Sequence, residues 1–197
     1  TTKETIPDPF FPKTKKRSDV MEKYPSLKID IGRKVGICWS GFWRHRNDRH
    51  RSIPLMDFAP LISSPGSMFY SLQKEIRQTD QAAFEKIPWL VNAGSEFHDY
   101  SDTADFISCL DLVISVDTSV AHVAASLGKP TWILIPEFGT DWRWMLNRED
   151  SPWYPSVRLF RQDEIGDWES VIRRIKFELR RHHREPDRDY NACSSSR

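Results

Sequence analysis

The clearest pattern of hydrophobic and polar positions lies between residues 110 and 136. Residues 112–116 and 131–135 are short apolar runs rich in branched side chains, which is typical of parallel strands covered on both faces. The residues between them show one apolar face at helical spacing, formed by Val120, Val123, Ala124 and Leu127. Gly128 and Pro130 then mark the end of that helix. The pattern predicts a strand, a helix and a second strand joined by a right-handed crossover.

The same reasoning predicts further elements on both sides of this unit. Short apolar runs predict strands at residues 35–40, 68–72, 90–93 and 157–160. Helices are predicted at residues 54–63, after a cap at Ser101 or Asp102, and from a cap at Asp167. The last helix has an apolar side formed by Trp168, Val171, Ile172, Ile175 and Leu179. Alternating strands and helices predict an α/β fold, a Rossmann-like parallel sheet of about six strands with helices on both faces.

The ends of the chain differ in composition from this middle part. Residues 1–33 carry four prolines among charged residues, so we expect an extended linker with one helical turn near Val20 to Tyr24. Residues 34–183 are predicted to form one domain. Residues 184–197 are polar and lack apolar anchors, which predicts a disordered tail.

Polar residues follow the strand at residues 112–116, at the predicted carboxyl edge of the sheet. Because a helix N-terminus carries unpaired amides and the positive end of the dipole, an anion is favoured there. Ser119 and Ala121 are small enough to let a phosphate approach, Thr118 adds a hydroxyl donor, and His122 lies one turn further. We expect a diphosphate-binding site. The alternative is that Asp117 or Thr118 only caps the helix and that His122 is an ordinary half-buried side chain.

Several segments together resemble one known family. They are KVGICWSG at 34–41, RSIPL at 51–55, FYSLQK at 69–74, DTADFISCLDLVISVDTSVAH at 102–122 and DWRWMLNREDSPWYPSVRLFRQ at 141–162. They resemble the ADP-heptose:lipopolysaccharide heptosyltransferases of glycosyltransferase family 9, and related glycosyltransferase-like domains found behind tetratricopeptide repeats. The resemblance covers most of residues 34–180.

This resemblance implies the C-terminal half of a GT-B glycosyltransferase, in which two Rossmann-like domains face each other across a cleft. That half holds a nucleotide-diphosphate-sugar donor, and the acceptor and the catalytic base come from an N-terminal domain or a partner chain. We therefore expect the base to lie outside this chain and the donor to be held without a metal ion. Since the first strand begins near Lys34, there is no room before it for a typical domain of ~100 residues, and we expect a fragment or half-enzyme.

The resemblance and the predicted sheet edge together give the candidate donor-binding residues. They are Ser40, Gly41, Arg51, Ser52, Gln73, Lys74, Asp102, Thr103, Asp117, Thr118, Ser119, Val120, Ala121, His122 and Asp141. Ser40 and Gly41 are expected to form a turn that lets the backbone come close, and Arg51 to meet the phosphates.

Three of these groups have structural alternatives. Gln73 and Lys74 are expected near the ribose or a phosphate, although a capped strand end explains them equally well. Asp102 and Thr103 are expected beside the base, although a plain helix cap also accounts for them. Asp141, with the adjacent Trp142, is expected near the sugar or the opposite domain, although tryptophans more often anchor loops in the core.

The loop after the first strand, residues 39–52, carries four arginines against one aspartate. Positive charge near a diphosphate is expected, because such loops line the ligand crevice of this sheet type. The alternatives are a solvated charged loop, or an RNA-binding patch with Trp43 as a stacking surface. His45, Asp48 and His50 have metal-ligating side chains, but a single flexible loop rarely fixes metal geometry, so no metal site is predicted.

Composition limits the class of protein but does not select a function. The chain has 197 residues, 39% of them hydrophobic, which suffices for one core. With 29 basic and 28 acidic residues, it has no global attraction to nucleic acid or an anionic membrane. Cys38, Cys109 and Cys193 are odd in number and lack metal-ligand spacing, which favours a reducing compartment. No export signal or membrane span is visible, so we expect a cytoplasmic protein.

The sequence also bears on two other function classes. A dehydrogenase is disfavoured, because GICWSGFWRH follows the first strand where a G-x-G-x-x-G fingerprint is needed. A non-catalytic binding or scaffolding module derived from a glycosyltransferase domain stays open. It predicts no nucleotide affinity and an exposed apolar face.

Overall fold

The computed structural model describes residues 13–184. These residues form one sheet of seven strands, in the order β3-β2-β1-β4-β5-β7-β6. The strands are β1 (Arg33–Cys38), β2 (Ser67–Ser71), β3 (Leu90–Asn92), β4 (Leu112–Val116), β5 (Thr131–Ile135), β6 (Asp150–Ser151) and β7 (Tyr154–Arg161). All neighbours pair in parallel except β6, which pairs antiparallel with β7. The predicted Rossmann-like α/β fold is confirmed.

Within the described residues, seven α-helices connect and cover these strands. They are α1 (Arg17–Lys23), α2 (Asp48–Arg51), α3 (Leu55–Ile62), α4 (Gln78–Glu85), α5 (Tyr100–Ser108), α6 (Ser119–Ser126) and α7 (Trp168–Arg184). Packing on one face of the sheet involves α3 and α7, and on the other α1, α5 and α6. Because side chains alternate along a strand, Val35 and Ile37 of β1 point to the first face and Cys38 to the second.

The unit from β4 to β5 forms as the sequence predicted. All five residues of each strand are buried. Gly128 adopts a positive φ of 68° just after α6, which is the left-handed conformation expected of a helix-ending glycine. Because β4 and β5 are parallel neighbours, α6 begins at the carboxyl edge of the sheet.

Several boundaries differ from the prediction. The cap of α5 is Asp99, whose Oδ1 accepts from the Asp102 amide at 3.0 Å, and neither Ser101 nor Asp102 takes that role. Helix α4 was not predicted, because its sequence QTDQAAFE has little apolar periodicity. Strand β6 was also missed, since two residues give no pattern by themselves.

The segment before β1 is more than an extended linker where it is described. Residues 17–28 form α1 and a 3-10 turn, Pro25–Lys28, and bury Val20, Tyr24 and Leu27 in the core. The ring of Tyr24 meets that of Phe106 edge-to-face, with centroids 5.1 Å apart. Residues 1–12, Cys193 and the tail predicted after Arg184 lie outside the described residues.

Candidate functional site

A cavity of about 1020 Å³ opens at the carboxyl edge of the sheet. It lies where β1, β2 and β4 end, so it occupies the point at which the strand order reverses between β1 and β4. Ligands of open α/β sheets bind at this position. The candidate residues that line it are Ser40, Gly41, Arg51, Gln73, Lys74, Thr103, Thr118, Ser119 and Val120.

The N-terminus of α6 forms one wall of this cavity. Thr118 is the cap residue, with extended backbone angles, and no side chain makes a hydrogen bond to cap the helix. The hydroxyl of Thr118 instead lies 3.1 Å from that of Ser115. The His122 amide bonds to the Thr118 carbonyl at 3.3 Å, so the amides of Ser119 and Val120 precede the first helical hydrogen bond. This wall therefore presents the positive end of a helix dipole to the cavity.

Arg51 lies beside that helix end. Its Nη1 donates to the carbonyl of Asp117 at 2.7 Å, which fixes the guanidinium next to the start of α6. Its Nε is buried and makes no hydrogen bond among the described residues. A Cβ on Gly41 would stand 2.4 Å from the Arg51 Nη2, so the absence of a side chain at Gly41 is what lets the guanidinium pack against this turn.

Gln73 joins the ends of β1 and β2 from beneath the cavity. Its Oε1 accepts from the Cys38 thiol at 2.8 Å and from the Ser40 amide at 3.2 Å. Its Nε2 donates to the Ser40 hydroxyl at 2.9 Å. Burial raises the pKa of the Cys38 thiol, so that thiol stays protonated as a donor. The amide group of Gln73 is therefore engaged in positioning the turn after β1.

Lys74 and Thr103 stand on the side of the cavity formed by α5 and the loop before it. The Lys74 ammonium donates to the carbonyl of Phe97. The Thr103 hydroxyl donates to the carbonyl of Asp99 at 3.1 Å. Both residues line the cavity while keeping a bond within the protein.

Asp102 and Ser52 do not line the cavity. The Asp102 carboxylate accepts hydrogen bonds from the Lys23 ammonium at 2.5 Å and from the His98 amide at 3.0 Å. The hydrogen bond from Lys23, followed by that from the His98 amide, lowers the pKa of Asp102. Ser52 accepts from the Gly41 amide at 3.1 Å and donates to Asp48 at 2.8 Å. Both residues therefore contact the segments that form the cavity walls without lining the cavity themselves.

His122 faces away from the cavity. Its ring stacks on Trp144, with centroids 4.9 Å apart and planes 20° apart, and its Nδ1 lies 3.2 Å from the Tyr154 hydroxyl. Burial lowers the pKa of His122, and the Asp117 carboxylate, 3.9 Å from its Nε2, opposes that shift. A neutral, stacked imidazole here fits the half-buried alternative better than a phosphate ligand.

Asp117, Ala121 and Asp141 also lie outside the cavity lining. Ala121 is fully buried in the cluster around Trp144. Asp141 caps a short 3-10 turn by accepting from the Arg143 amide at 2.8 Å and pairs with the Arg143 guanidinium at 3.0 Å. These residues shape the loops around β4 and β5 without reaching the cavity.

Sequence reasoning missed Arg77, which lines the cavity from the loop after β2. Its Nη2 donates to the Gly41 carbonyl at 2.5 Å and to Asp48 at 2.8 Å. A basic residue in a loop after a parallel strand was the available signal. None of the family motifs, at residues 34–41, 51–55, 69–74, 102–122 and 141–162, includes that position.

Three exposed aromatic residues line the cavity, namely Phe42, Trp43 and Tyr100. Phe42 and Trp43 are 65% and 64% exposed. The Arg44 guanidinium lies 4.6 Å from the centre of the Trp43 ring, so one ring face is already occupied. Among residues 13–181, no group of three His, Cys, Asp or Glu side chains is placed to hold a metal ion. In the same range, no helix has the length and apolar character to span a bilayer.

Comparison with known proteins agrees with this architecture. Residues 99–134, which include α5, β4 and α6, match the model of glycosyltransferase family 9 (heptosyltransferase). The predicted resemblance to glycosyltransferase family 9 is confirmed, whereas the likeness to domains found behind tetratricopeptide repeats stays a prediction. Residues 99–134 are therefore similar in sequence to the heptosyltransferases of glycosyltransferase family 9.

Two similar proteins show how much of this chain and of each known protein the likeness covers. The glycosyl transferase family 9 protein from Veillonella parvula superposes with a TM-score of 0.56 at 14% identity, over 92% of this chain and 48% of its own. Protein FlbA from Caulobacter vibrioides is 28% identical over 158 residues, which is 78% of this chain and 26% of FlbA. This chain thus spans about half the length of the first protein and about a quarter of the length of the second.

Proposed function

We propose that this domain binds the diphosphate of a nucleotide-sugar donor and forms the donor half of a glycosyltransferase. The observation that carries the proposal is the uncapped N-terminus of α6, which lines the switch-point cavity beside Arg51. A helix dipole and a guanidinium both stabilise negative charge.

The proposed chemistry assigns one task to this domain. In glycosyl transfer the bond from the sugar anomeric carbon to the phosphate oxygen breaks, and a bond to the acceptor oxygen forms. Negative charge then grows on the departing diphosphate, where the α6 amides and Arg51 stabilise it. The base that takes the acceptor proton belongs, in this proposal, to an acceptor domain or partner chain outside residues 13–184.

Isothermal titration calorimetry with ADP, UDP and GDP tests the proposal. Wild type is expected to bind at least one of them, with the same affinity in EDTA and in Mg²⁺. Arg51→Ala should weaken binding by about tenfold to 100-fold, because charge-assisted hydrogen bonds contribute about 1.5 to 3 kcal/mol. Arg46→Ala, an exposed arginine of the same loop that does not line the cavity, is the matched control.

The outcomes separate this proposal from its rival. If none of the three nucleotides binds wild type, the donor-site proposal is wrong. The exposed Phe42 and Trp43 at the rim would then favour the non-catalytic binding or scaffolding module. If Arg46→Ala weakens binding as much as Arg51→Ala, the attraction is a general charge effect and the proposed site is misplaced.

A further inference from the structure

Arg77 stands beside Arg51 on the cavity wall with most of its donors unused. Its hydrogen bonds to Gly41, Asp48 and Ser52 all use Nη2, at 2.5, 2.8 and 3.2 Å. Among residues 13–181, its Nη1 and Nε donate no hydrogen bond. The side chain is 26% exposed and lines the cavity, so these donors are available to a ligand.

Asp48 is the carboxylate that both arginines share. It is buried, with 7% exposure. Its Oδ2 lies 2.8 Å from the Arg77 Nη2, and its Oδ1 lies 3.8 Å from the Arg51 Nε. A buried carboxylate is costly unless it is paired, and here two guanidinium groups and the Ser52 hydroxyl surround it.

Gly41 brings the two guanidinium groups together. The Arg51 Nη2 packs where a Cβ of Gly41 would stand, 2.4 Å away, and Arg77 bonds to the carbonyl of the same residue. Two guanidinium groups this close repel each other. The negative charge of Asp48 offsets that repulsion and leaves the pair with a net positive charge.

We propose that Asp48 is a positioning residue that holds Arg51 and Arg77 side by side as a paired guanidinium site for pyrophosphate groups. Arg77 is then a second phosphate ligand of the donor site, so this inference rests on the proposed function. A pyrophosphate offers oxygens on two phosphorus atoms, and two planar guanidinium forks match them better than flexible ammonium groups do.

The positioning role and simple charge predict opposite changes in the affinity of Asp48→Asn for phosphate ligands. Asp48→Asn removes a negative charge next to the phosphates, so charge alone predicts tighter binding. If Asp48 positions the arginines, binding of inorganic pyrophosphate, and of the nucleoside diphosphate that binds wild type, weakens by at least about fivefold. The preference for pyrophosphate over inorganic phosphate should also fall, a change that a merely structural role does not produce.

Variants of Arg77 test the same pair from the other side. Arg77→Gln should weaken pyrophosphate binding about tenfold. Arg77→Lys keeps the positive charge and should recover only part of the lost affinity for pyrophosphate. Calorimetry on the full chain gives the affinities, and circular dichroism checks folding. Matched controls away from the cavity are Asp105→Asn, which removes the partner of Lys15, and Arg158→Gln, which removes the partner of Glu178.

Each outcome decides the matter. Weaker binding in Asp48→Asn and Arg77→Gln, with both controls at wild-type affinity, supports the paired site. Unchanged or tighter binding in either variant, while Arg51→Ala still weakens binding, overturns the pair and leaves the proposed function standing. Failure of wild type to bind pyrophosphate or any nucleoside diphosphate overturns both. If Asp48→Asn does not fold, the two Arg77 variants decide alone.

Discussion

Replacing Ser119 with glutamate separates the stability of α6 from its proposed affinity for anions. Ser119 is the first residue of α6, is exposed and lines the cavity. A carboxylate in the first turn interacts favourably with the helix dipole, by about 0.3 to 1 kcal/mol. The variant should therefore be at least as stable as wild type.

The same carboxylate should repel a bound diphosphate. At a separation of about 5 Å, one pair of unit charges repels by about 0.8 kcal/mol in bulk water and about 3.3 kcal/mol at the effective dielectric of a protein surface. Affinity for the nucleoside diphosphate should then fall at least about fourfold. Because the site is open to solvent, the loss should shrink as salt is raised.

Calorimetry and thermal unfolding on one preparation measure both effects. Ser119→Gln is the matched control, since it has the same length as glutamate and no charge. Lower affinity with unchanged or higher melting temperature supports an anion site at the start of α6. If Ser119→Glu binds as tightly as Ser119→Gln, the phosphates do not lie at this helix end and the reasoning fails.

Three further perturbations address other parts of the domain. Gly41→Ala should displace the Arg51 guanidinium and weaken nucleotide binding. When it is combined with Arg51→Ala in a double-mutant cycle, the affinity should fall no further than in Arg51→Ala alone. Additive losses of affinity would contradict this. His122→Phe keeps an aromatic ring on its indole neighbour but removes the titrating group. The folded pKa of His122 is lowered, so wild-type stability should fall as pH drops below about 6.5, where the unfolded imidazole takes up a proton. Denaturation at about pH 7.5 and about pH 5.5 should therefore show a flatter profile for the variant, and parallel profiles would refute the assignment. Tyr24→Ala should cost about 3 to 5 kcal/mol of unfolding free energy if α1 is part of the domain, whereas Ile31→Ala, at an exposed side chain, should cost little.

Most strands and helices of the fold could be predicted from the pattern of apolar and polar positions. The runs that became β4 and β5 are wholly buried, so nearly every side chain in them is apolar and the signal is strong. Helix α4 gave no such signal, because only a few of its side chains reach the core. The cap of α5 was misassigned because Asp99, Ser101 and Asp102 are all good caps within four positions.

The site was harder to predict, since its members meet only through the fold. The turn at Ser40 and Gly41 and the start of α6 were predicted together, because loops at the carboxyl ends of parallel strands converge. His122 was expected in the same place, but Trp144, from a loop far along the chain, covers it. Arg77 belongs to none of the family motifs, and its contacts with Gly41 and Asp48 form only when the fold brings the three residues together.

The two outer strands of the sheet are short, with three residues in β3 and two in β6. Such brief edges expose few backbone amides and carbonyls to a neighbouring chain, which limits strand-to-strand aggregation. Any lasting association of this domain would consequently use side-chain surfaces, such as the aromatic rim or the helical faces, in preference to extension of the sheet. Substitutions at the rim can then alter assembly without disturbing the pairing of the strands.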